Sequence, residues 1–264
     1  MKRLILPAIV FSASLFSLAL YAQQNNSAAS NTPATPRDKD ELQARIFMAK
    51  KQYPEAVQVY SRLSLQYPKD APYLNFLGIA LLQEGKLDDA RKYFERATKV
   101  NKRFSDAYNN LGATYYAEKQ YKKALSQYQR SLALQPNVAS VYTNVGYAYF
   151  AQKQLPKAME AFHKALTIDP RVFEETGRSG SILSYRSVTD RGLFNFMLAK
   201  DYAQSGDATN CALYLRRAAG EGYKEVAKVR TDPAFAKVIA DPDIKALLDE
   251  IAPVPPPPPD PPRS

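Results

Sequence analysis

His163, Cys211, adjacent carboxylates such as Asp88-Asp89 and Glu174-Glu175, and one glycine-rich run are the places where chemistry could start in this chain. A lone histidine beside Phe162 in a helical pattern suits a surface or boundary position, and one His with one Cys is too few for the usual four-ligand zinc site. Asp88-Asp89 and Glu174-Glu175 are neighbours in sequence, and neighbours on a helix do not face one another, so they read as solvated charges. The run TGRSGS, Thr176 to Ser181, lacks the lysine of a phosphate-binding loop and follows no strand pattern. No convergent constellation remains, so the chain reads as a non-enzyme with no cofactor and no metal site.

What remains is a vocabulary for binding. The stretch YNNLGATYY, Tyr108 to Tyr116, places two amides and several aromatic rings within nine residues. A carboxamide offers both a donor and an acceptor, so asparagines repeated along one face can hold the backbone of an extended peptide whatever its side chains are. Rings can either fill a core or line a surface. The elements that carry them decide which.

Those elements are set by an internal repeat. Leu77-Gly78, Leu111-Gly112 and Val145-Gly146 recur every 34 residues, as do Ala56, Ala90, Ala124 and Ala158 and the aromatic row Tyr60, Phe94, Tyr128 and Phe162. Leu63, Ala97, Ser131 and Ala165 keep the same step, while Pro68, Pro136 and Pro170 close three units and Lys102 stands where the second unit's proline would be. Within each unit the apolar period is helical, in two runs parted by a polar turn such as QEGK, AEKQ or AQKQ. Each unit is therefore expected to be a helical hairpin. Its small residues let the two backbones approach, and the aromatic fills the space beside them.

These offsets resemble the tetratricopeptide repeat (TPR) family, whose pattern of Leu-Gly, Tyr, Ala, Phe or Tyr, Ala and Pro is carried almost in full by Ala71 to about Val172. The resemblance implies an all-α fold, a right-handed α-solenoid of helix-turn-helix units over residues 37–172. Unit one has Gln43-Ala44 in place of Leu-Gly and reads as a degenerate cap. Tyr202, Cys211 and Ala218 follow Tyr149, Ala158 and Ala165 by 53 residues, which is one repeat plus an insertion of 19. A fifth, displaced unit is thus expected within residues 192–251, with Cys211 as a small buried residue in the alanine position. The insertion, 173–191, is expected to fold as a loop or short β-ribbon that shapes the binding surface. Asp232-Pro233 and Asp241-Pro242 each pair an N-cap with a favourable first helical position, predicting two short helices that cap the C-terminal end.

The ends carry different information. Met1-Lys2-Arg3, an apolar run and the small Ala22 read as a secretory signal over residues 1–22, followed by a polar, disordered tether over 23–36. Residues 252–264, with APVPPPPPDPP at their start, read as an extended polyproline II tail. The expected destination is the periplasm or the outside of a bacterial cell, with membrane association only if the first segment stays attached. The 264 residues carry a formal net charge of +10, but the basic residues are interspersed with Asp and Glu, which describes a solvated surface more than a nucleic-acid footprint.

By position, the resemblance places Asn75, Ile79, Asn109, Asn110, Tyr116, Thr143, Asn144, Tyr147 and Phe150 in a peptide-binding groove, because the family's first helices line the concave side. Tyr108, Leu111, Gly112 and Tyr115 are assigned to the core. The family's basic clamp for a terminal carboxylate needs Lys or Arg where this chain has Asn109, Ala113, Thr143 and Tyr147, so that clamp is absent. The implied role is a protein–protein interaction adaptor or scaffold in the cell envelope. The alternative is binding of an anionic envelope polymer or nucleic acid through outward lysines such as Lys119, Lys122, Lys123, Lys157 and Lys164.

Overall fold

Helices begin and end where local chemistry dictates. Thr35 opens the first with a reciprocal capping box: its hydroxyl accepts from Asp38 N, and its own N–H donates to Asp38 Oδ2 at 2.9 Å. This arrangement contributes about 1 kcal/mol. Prolines at the first or second position start four of the hairpin helices, where a missing N–H costs nothing. In the computed structural model, residues 35–173 and 188–253 are described. The expected signal, most of the tether, most of the insertion and most of the proline tail lie outside the described residues.

The chain divides into two compact units, residues 1–184 and 185–264. In the first, α1 (Pro36–Ala49), α2 (Tyr53–Gln66), α3 (Ala71–Gln83), α4 (Leu87–Val100), α5 (Ser105–Ala117), α6 (Tyr121–Leu134), α7 (Ala139–Ala151) and α8 (Leu155–Ile168) pair in succession as four hairpins. This is the all-α stack of repeats expected from the 34-residue period. The first helix begins at Pro36, inside the stretch assigned to the tether, because the Thr35 cap and the proline start it there.

Each hairpin is held by a close crossing. A Cβ on Gly78 would lie 2.6 Å from the Phe94 ring, one on Gly112 would lie 2.6 Å from the Tyr128 ring, and Gly146 meets Phe162 in the same way. Phe94, Tyr128 and Phe162 are themselves sealed, at 0–1% exposed, so none of these rings can swing aside. Between hairpins, Ser131 replaces the alanine of other units at no cost in unpaired polarity, since its hydroxyl lies 3.0 Å from that of Ser105. Where Lys102 stands in place of proline, Asn101 ends the helix instead, its Oδ1 accepting from Arg103 N at 2.9 Å.

The degenerate first hairpin is tied on by polar contacts. Arg37 Nε donates to Tyr73 Oη at 2.8 Å, Arg37 pairs with Asp70 at 2.7 Å, and Tyr73 Oη donates to Glu41 Oε2 at 2.9 Å. The Arg37 guanidinium also lies 4.5 Å from the centre of the Tyr67 ring.

In the second unit, α9 (Val188–Ser205) and α10 (Ala208–Gly220) form the displaced hairpin. Helix α9 starts within the span assigned to the insertion. Ala199, Cys211, Leu215 and Ala218 are fully buried at its crossing, so leucine takes the aromatic's place. Of the two predicted capping helices, the second is α11 (Pro242–Ile251), with Asp241 Oδ1 accepting from Asp243 N and Ile244 N. The first is only a 3-10 turn, Pro233–Phe235, and a further 3-10 turn that the sequence pattern did not signal spans Lys224–Arg230. Val226 and Val229 are the buried residues of the longer turn, and Phe235 and Val238 are the buried residues of the stretch that follows.

Candidate functional site

Every predicted site residue lies on a first helix. Asn75 and Ile79 are on α3, Asn109, Asn110 and Tyr116 on α5, and Thr143, Asn144, Tyr147 and Phe150 on α7. These three helices carry almost no charge. Asp106 is the one ionisable acid or base among their residues, tyrosine hydroxyls aside, whereas α4, α6 and α8 carry the lysines and arginines. The face is therefore built for hydrogen bonding and packing, not for Coulombic attraction.

The structure joins the four asparagines into a ladder across the hairpins. Asn110 Nδ2 donates to Asn75 Oδ1 at 2.9 Å, and Asn144 Nδ2 donates to Asn109 Oδ1 at 3.0 Å. Each bond links positions 35 apart, one more than the repeat, so Asn110 and Asn144 do not act as an equivalent pair on their own. Each takes its neighbour from the preceding first helix. The adjacent Asn109-Asn110 in YNN is the signal that could have shown this, since one asparagine faces backward along the stack and the other forward.

The ladder is buried but not saturated. The four side chains are 2–5% exposed. Among the described residues they make no other side-chain hydrogen bond, so Asn75 and Asn109 keep their amide protons, and Asn110 and Asn144 keep their carbonyl lone pairs. None of those atoms is sealed off: the fully enclosed side-chain atoms without a partner among the described residues are Tyr60 Oη, Gln127 Oε1 and Arg230 Nε. A free donor and a free acceptor thus recur once per pair along the stack.

The remaining predicted residues have other employment. Thr143 Oγ1 donates to Ala139 O at 3.1 Å within its own helix. Ile79 belongs to the core cluster of the first two hairpins, beside Tyr60 and Phe76. The Tyr147 ring meets Phe162 edge-on at 5.5 Å, and Phe150 is 5% exposed. Tyr116 is half-buried, with its ring centre 5.4 Å from that of Tyr121. Of the residues assigned to the core, Tyr108, Leu111 and Gly112 are buried, and Tyr115 is half-buried with its hydroxyl 3.3 Å from Glu95 Oε1.

Cys211 is sealed at the crossing of its hairpin, and burial foremost, with Asp207 and Asp241 adding to it, pushes its thiol up to about 12. Such a thiol is neither nucleophile nor ligand at neutral pH.

Two models of the tetratricopeptide repeat family match the chain, over residues 41–99 and 104–171. Among solved structures, it is similar to MamA residues 41-end from Desulfovibrio magneticus RS-1. That match has 21% identity and a TM-score of 0.51, and covers 72% of this chain and 97% of that one. It is also similar to TTC0263, a thermophilic TPR protein in Thermus thermophilus, at 17% identity over 77% of this chain and 99% of that one, with a TM-score of 0.50. At these identities the likeness is one of fold. No curated protein sequence matches the chain.

Proposed function

Since the chain is a tetratricopeptide repeat protein, and its hairpin stack is of a kind that serves protein–protein interaction, we propose that it is a non-enzymatic adaptor holding an extended peptide segment of a partner along α3, α5 and α7. The partner is a protein of the bacterial cell envelope, which the chain reaches by export. The observation that carries the reading is the asparagine ladder. Its free donors and acceptors complement the N–H and C=O groups of an extended backbone, and Asp106 is the one charged residue on the three helices that carry it. Each such bond contributes about 0.5–1.5 kcal/mol, so binding needs the whole row.

The test is capture and cross-linking from envelope extract with the chain and with Asn110→Ala/Asn144→Ala. The double variant leaves the Asn75 and Asn109 carbonyls without their donors, at about 1–3 kcal/mol each. Retained helicity is therefore checked first by circular dichroism. A partner peptide cross-linked to α3, α5 or α7 and lost from the folded variant is the expected outcome. The same captured set from both forms would move the binding site off the ladder. Binding should change little between low and physiological salt, because the three helices carry a single charged residue, Asp106.

A further inference from the structure

The turns inside the hairpins share an unusual backbone. Lys51, Lys119 and Lys153 sit at the same repeat position with φ of 57°, 61° and 59°, where the second hairpin has Gly85 at 81° and the displaced one Gly206 at 85°. The left-handed region costs a side-chain-bearing residue about 1–2 kcal/mol, and glycine meets the same geometry without that cost, as Gly85 does here. A cation just past a helix C-terminus regains about 0.3–1 kcal/mol from the helix dipole, less when screened by salt. The dipole therefore leaves part of the strain uncompensated, and strain held at a recurring position points to a role for the side chain.

In hairpins three and four these turns form a basic edge. Lys122 and Lys123 follow Lys119 in the first turn of α6, and Lys157 follows Lys153 in the first turn of α8. Among the described residues none of the five has a carboxylate at ion-pair distance. The acid within these turns, Glu118, is engaged by Arg91 at 3.5 Å and by Gln120 at 2.7 Å. The first helices α5 and α7 lie side by side, as the bond between Asn109 and Asn144 requires, so Lys119 and Lys153 stand on neighbouring turns, and packed helices are about 8–10 Å apart.

We propose that this edge binds an acidic, extended polypeptide segment of a partner protein. An extended chain advances about 3.3–3.6 Å per residue, so a carboxylate at every third residue keeps step with the turns. Single-stranded nucleic acid fits less well. The Tyr115 and Tyr149 rings, which could stack on bases, already carry Lys123 and Lys157 at 5.4 Å and 5.5 Å from their centres. A membrane surface fits less well too, because among the described residues no large exposed apolar side chain accompanies these lysines; Val100 and Ile168 lie at the far ends of their helices. The proposal rests on the adaptor reading only in taking the partner to be a protein, and it does not depend on the asparagine ladder.

The test is a fluorescence-anisotropy titration of labelled poly-L-glutamate with the chain, with Lys119→Gly/Lys153→Gly and with Asn110→Ala/Asn144→Ala. The glycine variant keeps the turn and should melt no lower than the parent, so loss of binding cannot be laid to unfolding. The expected result is about tenfold weaker binding in the glycine variant, at most a small, salt-insensitive loss in the asparagine variant, and a steep fall with salt in the parent. Equal affinity of the glycine variant and the parent overturns the proposal. So does a parent that ignores poly-L-glutamate yet binds single-stranded DNA or phosphatidylglycerol vesicles. Weakening by the asparagine variant alone would also overturn it, while leaving the adaptor reading in place.

Discussion

At the scale of single residues, identity and position carry different information. Cys211 occupies an alanine position because a thiol is small enough for a tight helix crossing, and the crossing then removes its reactivity by excluding water. The folded chain at pH 8 should therefore resist iodoacetamide, reacting at least about 100-fold more slowly than the same chain in urea, where the thiol returns to the ordinary value near 8.5. Mass spectrometry of the modified chain reads the difference directly, and rapid labelling of the native form would show the crossing to be open. The asparagines illustrate the converse: their type is visible in the sequence, but their mutual bonds are not.

At the scale of the element, the unit of stability is the hairpin with its glycine-aromatic contact. Gly146→Ala forces a methyl group into the Phe162 ring, which is buried and also packed against Tyr147 and Phe173. The expected cost is about 1–3 kcal/mol, the usual penalty of overpacking, seen as a lower midpoint in urea with an unchanged slope. Gly220→Ala is the control, because a Cβ there meets nothing within 4 Å. If the two substitutions cost the same, the close crossing is not what holds the fourth hairpin together.

At the scale of the whole molecule, acid should be felt through particular carboxylates. Lys200 and the Ala234 N–H both donate to Asp232, and these bonds hold its carboxyl below the usual range, Lys200 being the larger influence. A depressed folded-state value means that the contribution is complete above the unfolded value of about 3.9 and is lost as pH falls through the lower folded one. Thermal melts at pH 7, 5 and 3 should show the parent losing stability mainly in the last interval. Asp232→Asn should start lower at pH 7 and fall less steeply, and identical pH profiles would remove Asp232 from the account.

The repeat, the hairpins, their turns and most of the core were legible from the amino-acid order alone. They follow from a period of 34 residues in side-chain size and polarity, and size and polarity are properties each residue carries with it. The fifth unit was legible for the same reason, through Tyr202, Cys211 and Ala218. Three features needed the folded chain. Contact between neighbouring first helices set the register that pairs Asn75 with Asn110 and Asn109 with Asn144, because a hydrogen bond needs two groups within about 3 Å and the repeat alone does not say which pair meets. The Asp232-Pro233 stretch closes as a 3-10 turn, with Phe235 fully buried, although its cap is that of a helix. The left-handed backbone of Lys119 and Lys153 was hidden as well, since a lysine in a polar turn looks like any other surface charge until its φ is known.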